Sequence, residues 1–136
     1  MRSGGQRLLV GLLLASPVVS GCAGAAASGN VEIVARYSRF EPSSVTVKAG
    51  RPVHFVLRNE DPIDHEWIVG DESVHAEHRA GTETAHGERG TEQSIPALGD
   101  VRSTLTFDVP GRYAFACHLP GHEAYGMVGT IIVTEG

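Results

Sequence analysis

Cysteine is scarce in this 136-residue chain: Cys22 and Cys117 are its only two. A framework of several disulfides is excluded, and at most one bridge, Cys22–Cys117, can form in an oxidising compartment. No segment carries a long apolar period of the helical kind, which excludes a helical bundle. No internal repeat is present. Basic residues number 11 against 16 acidic ones, a formal net charge of −5. That balance argues against a nucleic-acid partner, because such recognition rests on neutralising phosphates. The longest apolar run, Leu8 to Val19, is interrupted by Pro17 and falls short of the roughly 20 residues a membrane span needs.

That run instead has the plan of a secretory signal peptide over residues 1–21, with Arg2 and Arg7 before it and Val19-Ser20-Gly21-Cys22 closing it. The small residues before Cys22 resemble the lipobox of bacterial lipoproteins. The resemblance implies cleavage before Cys22, a diacylated (in some bacteria triacylated) N-terminus there, and anchoring of the protein to a membrane outside the cytoplasm, periplasmic or on the outer face of the cell membrane. Ordinary secretion is the alternative. Without Arg2 and Arg7 the charge falls from −5 to −7, so attachment through the protein surface to anionic lipid is disfavoured. Residues 23–30 carry no charge and little to bury. They read as a flexible tether that reaches about 25 Å when extended. Residues 31–136 remain as one domain with room for one core.

Within that domain, short period-2 runs alternate with Gly, Pro and Asp. The strands expected are Val31–Tyr37, Ser44–Lys48, Pro52–Asn59, Ile63–Val69, Arg102–Val109, Arg112–Cys117 and Val128–Thr134. Such spacing is the mark of an all-β sandwich or small barrel. The exception is the segment 71–92, rich in acid and histidine, with Val74 as its only sizeable aliphatic residue. It reads as a long loop, or as a short helix from Asp71 to His78 capped by Asp71.

Chemistry concentrates near the C-terminus. Cys117, His122 and Met127 stand at Cys-x4-His-x4-Met spacing, with His118, Pro120 and two glycines in between. Cys117 falls on the inward parity of Tyr113 and Phe115, and Met127 opens the last strand, so a closing loop brings thiolate, imidazole and thioether to one point. His65, inward on its own run, can supply a second nitrogen. This soft, mixed donor set suits copper, because thiolate and thioether favour Cu(I) while imidazole suits both Cu(I) and Cu(II). Three other readings compete: an inert buried thiol, a zinc site, for which Met is a poor ligand, and a Cys–His nucleophile, for which no orienting Asp or Asn is at hand.

The same residues carry a family resemblance over roughly 31–134. Phe40-Glu41-Pro42, Val45 to Gly50, Val53 to Asn59, His65 and the Cys117 loop resemble the cupredoxins, the blue copper proteins. The resemblance implies a Greek-key β-sandwich with one type 1 copper held by His65, Cys117, His122 and Met127. It also implies single-electron transfer with redox partners such as a c-type cytochrome or a copper-dependent oxidase or reductase. Leu119 and Ala124 would frame the exposed edge of His122 as an apolar docking patch. The chain departs from the family at Glu66, where many members have Asn, and at His118, which parity turns away from the copper and toward the surface.

His75, His78 and His86 in the 71–92 segment are candidates for a weak second metal site, since His75 and His78 share a helical face at i, i+3. The expected function is one-electron transfer by a membrane-tethered, monomeric, non-enzymatic protein. Copper binding, delivery or resistance is the alternative, which the same ligands permit if the metal exchanges.

Overall fold

The computed structural model describes residues 29–81 and 85–136. The expected signal peptide and Cys22 lie outside them. Among the described residues nine strands and one helix follow in order: β1 (Asn30–Arg36), β2 (Arg39–Glu41), β3 (Ser44–Lys48), β4 (Pro52–Asn59), β5 (His65–Gly70), α1 (Glu72–Arg79), β6 (Glu92–Ile95), β7 (Asp100–Thr106), β8 (Gly111–Ala116) and β9 (Val128–Thr134).

Two sheets form, in the orders β2-β1-β4-β7 and β3-β9-β8-β5-β6. The chain changes sheet at most of its connections, as in a Greek-key sandwich. Alternation decides what each strand buries. Val31, Ile33 and Ala35 of β1, Val53, Phe55 and Leu57 of β4, and Val45 and Val47 of β3 all point into the space between the sheets. Phe115 of β8 sits at the centre, with its ring 5.3 Å from Phe40 and 6.1 Å from Trp67. Gly129 lies opposite Phe115 across the β8–β9 ladder. A Cβ on Gly129 would sit 2.1 Å from the Phe115 ring, so this residue has no room for any side chain.

The expected strands are all present, β3, β4 and β9 with the expected ends and the others shifted at their ends. Ile63 lies before β5 and is 46% exposed, because Asn59 folds back there and donates its side-chain amide to the Ile63 carbonyl at 2.7 Å. Two strands carried no period-2 signal. β2 is three residues long, and β6 reads Glu-Gln-Ser-Ile with its first two polar residues buried. Pairing with β5, residue for residue from His65–Ile95 to Ile68–Glu92, places β6 at the sheet edge. In the 71–92 segment the helical reading is the one realised: Asp71 caps α1, accepting from the N–H groups of Ser73 at 2.9 Å and Val74 at 3.2 Å. α1 packs on β5 through Val74, which lies against Gly70, while its buried His75 turns toward β8, with Nε2 3.4 Å from the Ala114 carbonyl.

Candidate metal centre

The Cys117 loop is shaped by backbone bonds at both ends. Cys117 N–H donates to the Met127 carbonyl at 3.1 Å, and Met127 N–H donates to the His122 carbonyl at 3.0 Å. Turns at Leu119–His122 and Gly121–Tyr125 fold the intervening chain back on itself. Gly126, at φ 93, takes a conformation that favours glycine. Cys117, His122 and Met127 therefore share one end of the sandwich, with Cys117 and Met127 fully buried and His122 partly so.

His65 opens β5 and is fully buried beside this loop. Its Nδ1 lies 3.2 Å from His122 Nδ1, and Cys117 Sγ lies 3.3 Å from the same His122 nitrogen. One ligating atom from each of His65, Cys117 and His122 falls within 4.8 Å of the others. His65 Nε2–H donates to Asp61 Oδ2 at 2.8 Å, which fixes the tautomer and leaves the Nδ1 lone pair facing the cluster. Asp61 is itself held rigid, accepting from the N–H groups of Tyr37 at 2.7 Å and Ser38 at 2.8 Å. Burial would raise its pKa, but these donors and His65 together hold it below the usual carboxylate value.

Sequence reasoning did not single out Asp61. A carboxylate four residues before the histidine was the available signal, but Asp64 is closer in sequence and Asp64 instead accepts from Ala97 N–H at 2.8 Å. An Asp61→Asn variant should lose about 10–100-fold in copper(II) affinity, measured by chelator competition. Unchanged affinity would show that the carboxylate does not tune His65.

The electrostatics favour a cation. Burial pushes the Cys117 thiol up to about 11, partly offset by the backbone N–H groups of Glu66, at 3.3 Å, and Leu119. An apolar pocket with two amide donors at the sulfur disfavours a free thiolate and suits a thiolate neutralised by a metal. Burial, and next the neighbouring His65, lower the pKa of His122, so its ring is a neutral lone-pair donor. Two imidazole nitrogens and a sulfur converge here without a protein carboxylate among them. That donor chemistry fits copper better than a hard cation.

The surroundings differ from expectation in three respects. Of the residues framing His122, Pro120, Ala124 and Tyr125 are exposed, whereas Leu119 is half-buried and packs on the core. His118 does face away from the cluster, but it is not a surface residue: its side chain is 2% exposed. It lies under α1, with Nε2 2.9 Å from His75 Nδ1 and Nδ1 3.2 Å from Glu123. The burial follows because α1 folds over the outer face of β8, which sequence parity alone assigned to solvent. The third difference is the candidate trio His75, His78 and His86. His78 and His86 come together, but their third companion is Glu92 rather than His75, which turns toward His118.

A β-sandwich in which two histidines and one cysteine converge at one end is the architecture of a copper-binding domain. Comparison with known proteins agrees. Residues 27–134 match the family described as copper binding proteins, plastocyanin/azurin family, and the chain belongs to it. The family is described by copper binding and not by a catalysed reaction. Among curated relatives, the copper-resistant cuproprotein CopI of Pseudomonas aeruginosa is 33% identical over 141 residues, 80% of this chain and 78% of that protein. The protein of the same name from Rubrivivax gelatinosus is 36% identical over 100 residues, 70% of this chain and 59% of that one. Plastocyanin of Scenedesmus fuscus is 35% identical over 94 residues, 69% and 85% of the two chains. Among solved structures, reduced auracyanin from Roseiflexus castenholzii superposes with a TM-score of 0.66 at 24% identity, covering 80% of this chain and 98% of that one. That likeness is one of fold. No helix among the described residues is long and apolar enough to cross a membrane.

Proposed function

We propose that this chain is a copper-binding protein of the copper-resistance kind, holding one copper through His65, Cys117, His122 and Met127. The observation that carries the reading is the convergence of His65 Nδ1, His122 Nδ1 and Cys117 Sγ within one buried cluster. The relatives named as copper-resistant cuproproteins support copper handling ahead of electron transfer, reversing the order expected from sequence.

Copper bound here would supply a one-electron couple. The chain's own residues do the rest. Asp61 keeps the His65 ring oriented, and the N–H groups of Glu66 and Leu119 bear on the Cys117 sulfur. Met127, fully buried where the loop closes, offers a thioether that suits the reduced ion. His65 is held in the β5–β6 ladder, Cys117 and Met127 flank the last pair of the β8–β9 ladder, and the Glu66 N–H joins the two at the Cys117 sulfur, which restrains the donors when the bound ion changes oxidation state.

Electron exchange with a redox protein, such as a c-type cytochrome or a copper-dependent oxidase or reductase, is the second reading. Partial exposure of His122 beside exposed Pro120, Ala124 and Tyr125 favours it. Such contact would be weak and quickly released. The acid nearest this face, Glu123, is already engaged by the Arg79 guanidinium at 2.7 and 3.0 Å, which reduces its pull on a basic partner. The segments 1–21 and 22–30 fit export and tethering of a monomer through a lipid on Cys22, supported by the lipobox-like Val19-Ser20-Gly21-Cys22.

Expression in a copper-sensitive bacterial host tests the order of the two readings. The full chain should raise the copper concentration that halves growth, and a Cys117→Ser variant should not. A wild-type protein that gives no protection, yet takes electrons rapidly from a reduced cytochrome c, would put electron transfer first.

A further inference from the structure

Strand parity places a second group of ligating side chains back to back with the first. On β5, His65 faces the interior and the next residue, Glu66, faces outward beneath the α1 side. Beyond β8, Cys117 faces inward and His118 outward. The outer layer is a continuous row of rings. Centroids lie 5.1 Å apart for His75–His118, 5.8 Å for His118–His78 and 5.0 Å for His78–His86.

Within that layer, His78, His86 and Glu92 bring one ligating atom each within 4.8 Å of the others. Glu92 Oε2 lies 3.9 Å from His78 Nε2 and 3.8 Å from His86 Nδ1. These separations are too long for hydrogen bonds. They are close to the spacing of two ligands on one small ion, since bonds of about 2.0–2.2 Å in tetrahedral array put donors roughly 3.4 Å apart.

The supporting contacts leave the right atoms facing the gap. His78 Nδ1–H donates to the Val74 carbonyl at 2.8 Å, so its lone pair is on Nε2, toward Glu92. Arg89 donates to Glu92 Oε1 at 3.0 Å and leaves Oε2 facing both histidines. His86 is tied to β6 at both backbone ends, through Ser94 Oγ at 2.8 Å and Ser94 N–H at 3.2 Å. On its other side, His86 Nε2 lies 3.6 Å from Glu66 Oε1. A cleft of about 390 Å³ lined by Glu66, His78, His86 and His118 provides a way in.

We propose that His78, His86 and Glu92, with Glu66 beyond His86, form a second cation site that takes copper(II). Two imidazoles and carboxylate oxygen, with no thiolate, select a borderline divalent ion, and among these copper(II) binds N/O sites most strongly, ahead of zinc(II). Choosing copper over zinc rests on the copper reading above; the ligand geometry does not. The chain then carries a sulfur-rich site on the inner face of one sheet and a nitrogen–oxygen site on its outer face. Glu66 joins them, its backbone N–H on Cys117 Sγ and its carboxylate beside His86. The departure from the family's usual Asn is thereby accounted for.

Titration of metal-free protein with copper(II) alone, followed by optical absorption and electron paramagnetic resonance, tests this. Wild type should take two equivalents, one giving the blue band and one a colourless, type 2 signal. His86→Gln and, separately, His78→Gln should weaken the second equivalent by about tenfold or more, with the blue band reporting that each variant is folded. Excess zinc(II) should weaken the apparent affinity of the type 2 equivalent by competition without preventing its uptake, since copper(II) is the tighter binder at such donors. Uptake that stops at one equivalent with the blue band present, or a type 2 signal unchanged in both variants, overturns the proposal. A type 2 signal lost in His86→Gln from a protein with no blue band would sustain this site and refute the type 1 reading instead.

Discussion

Replacing Cys117 by Ser is expected to abolish the blue absorption entirely and to remove most of the affinity for Cu(I). The band requires a sulfur-to-copper bond, and a hydroxyl is a hard ligand that stays protonated where burial already pushes the softer thiol to about 11. The fold should survive. Serine keeps the shape of the side chain, and its oxygen can accept the Glu66 N–H that now points at sulfur. Visible spectroscopy of the copper-loaded variant, together with a thermal melt of its metal-free form, separates lost chemistry from lost structure. A variant that remains blue would remove Cys117 from the centre.

Phe115→Ala should cost about 3–5 kcal/mol of stability, a large part of the 5–15 kcal/mol that holds a typical domain together. The ring is fully buried between Phe40 and Trp67. It also fills the space that Gly129 leaves open across the ladder, so truncation creates a void flanked by residues that cannot collapse into it. Chemical denaturation of the metal-free protein should show a lower midpoint with an unchanged slope. Copper should restore part of the loss, because an ion that binds only the folded state stabilises it by mass action. A loss below 1 kcal/mol would mean that the core repacks around the gap.

These expectations follow from features of unequal visibility. The core strands were legible because alternation is imposed by burial on one face, so Val53, Phe55 and Leu57 announce β4 without help from the rest of the chain. β6 was not legible. Glu92 and Gln93 are buried, but their partners are Arg89 and the edge of β5, neither of which leaves a periodic trace. The same asymmetry holds in the centre. His65, Cys117, His122 and Met127 stand out because soft ligands at short intervals are rare, whereas Asp61 is one of many carboxylates until His65 Nε2 is seen 2.8 Å away.

Sequence alone determined the class of the domain and the chemistry of its principal donors. Residue type sets ligand softness and side-chain period sets which face is buried, and both are local properties. Tertiary structure decided what stands behind those donors. Only the docking of α1 on the outer face of the sheet buries His118 and seats His78 beside Glu92, and only the pairing of His86 with Ser94 of β6 brings its ring to the same place and makes Glu66 a link between two faces of one sheet. The reason is physical: these contacts join residues far apart in the chain, and nothing in a local pattern records which outward face a helix will cover.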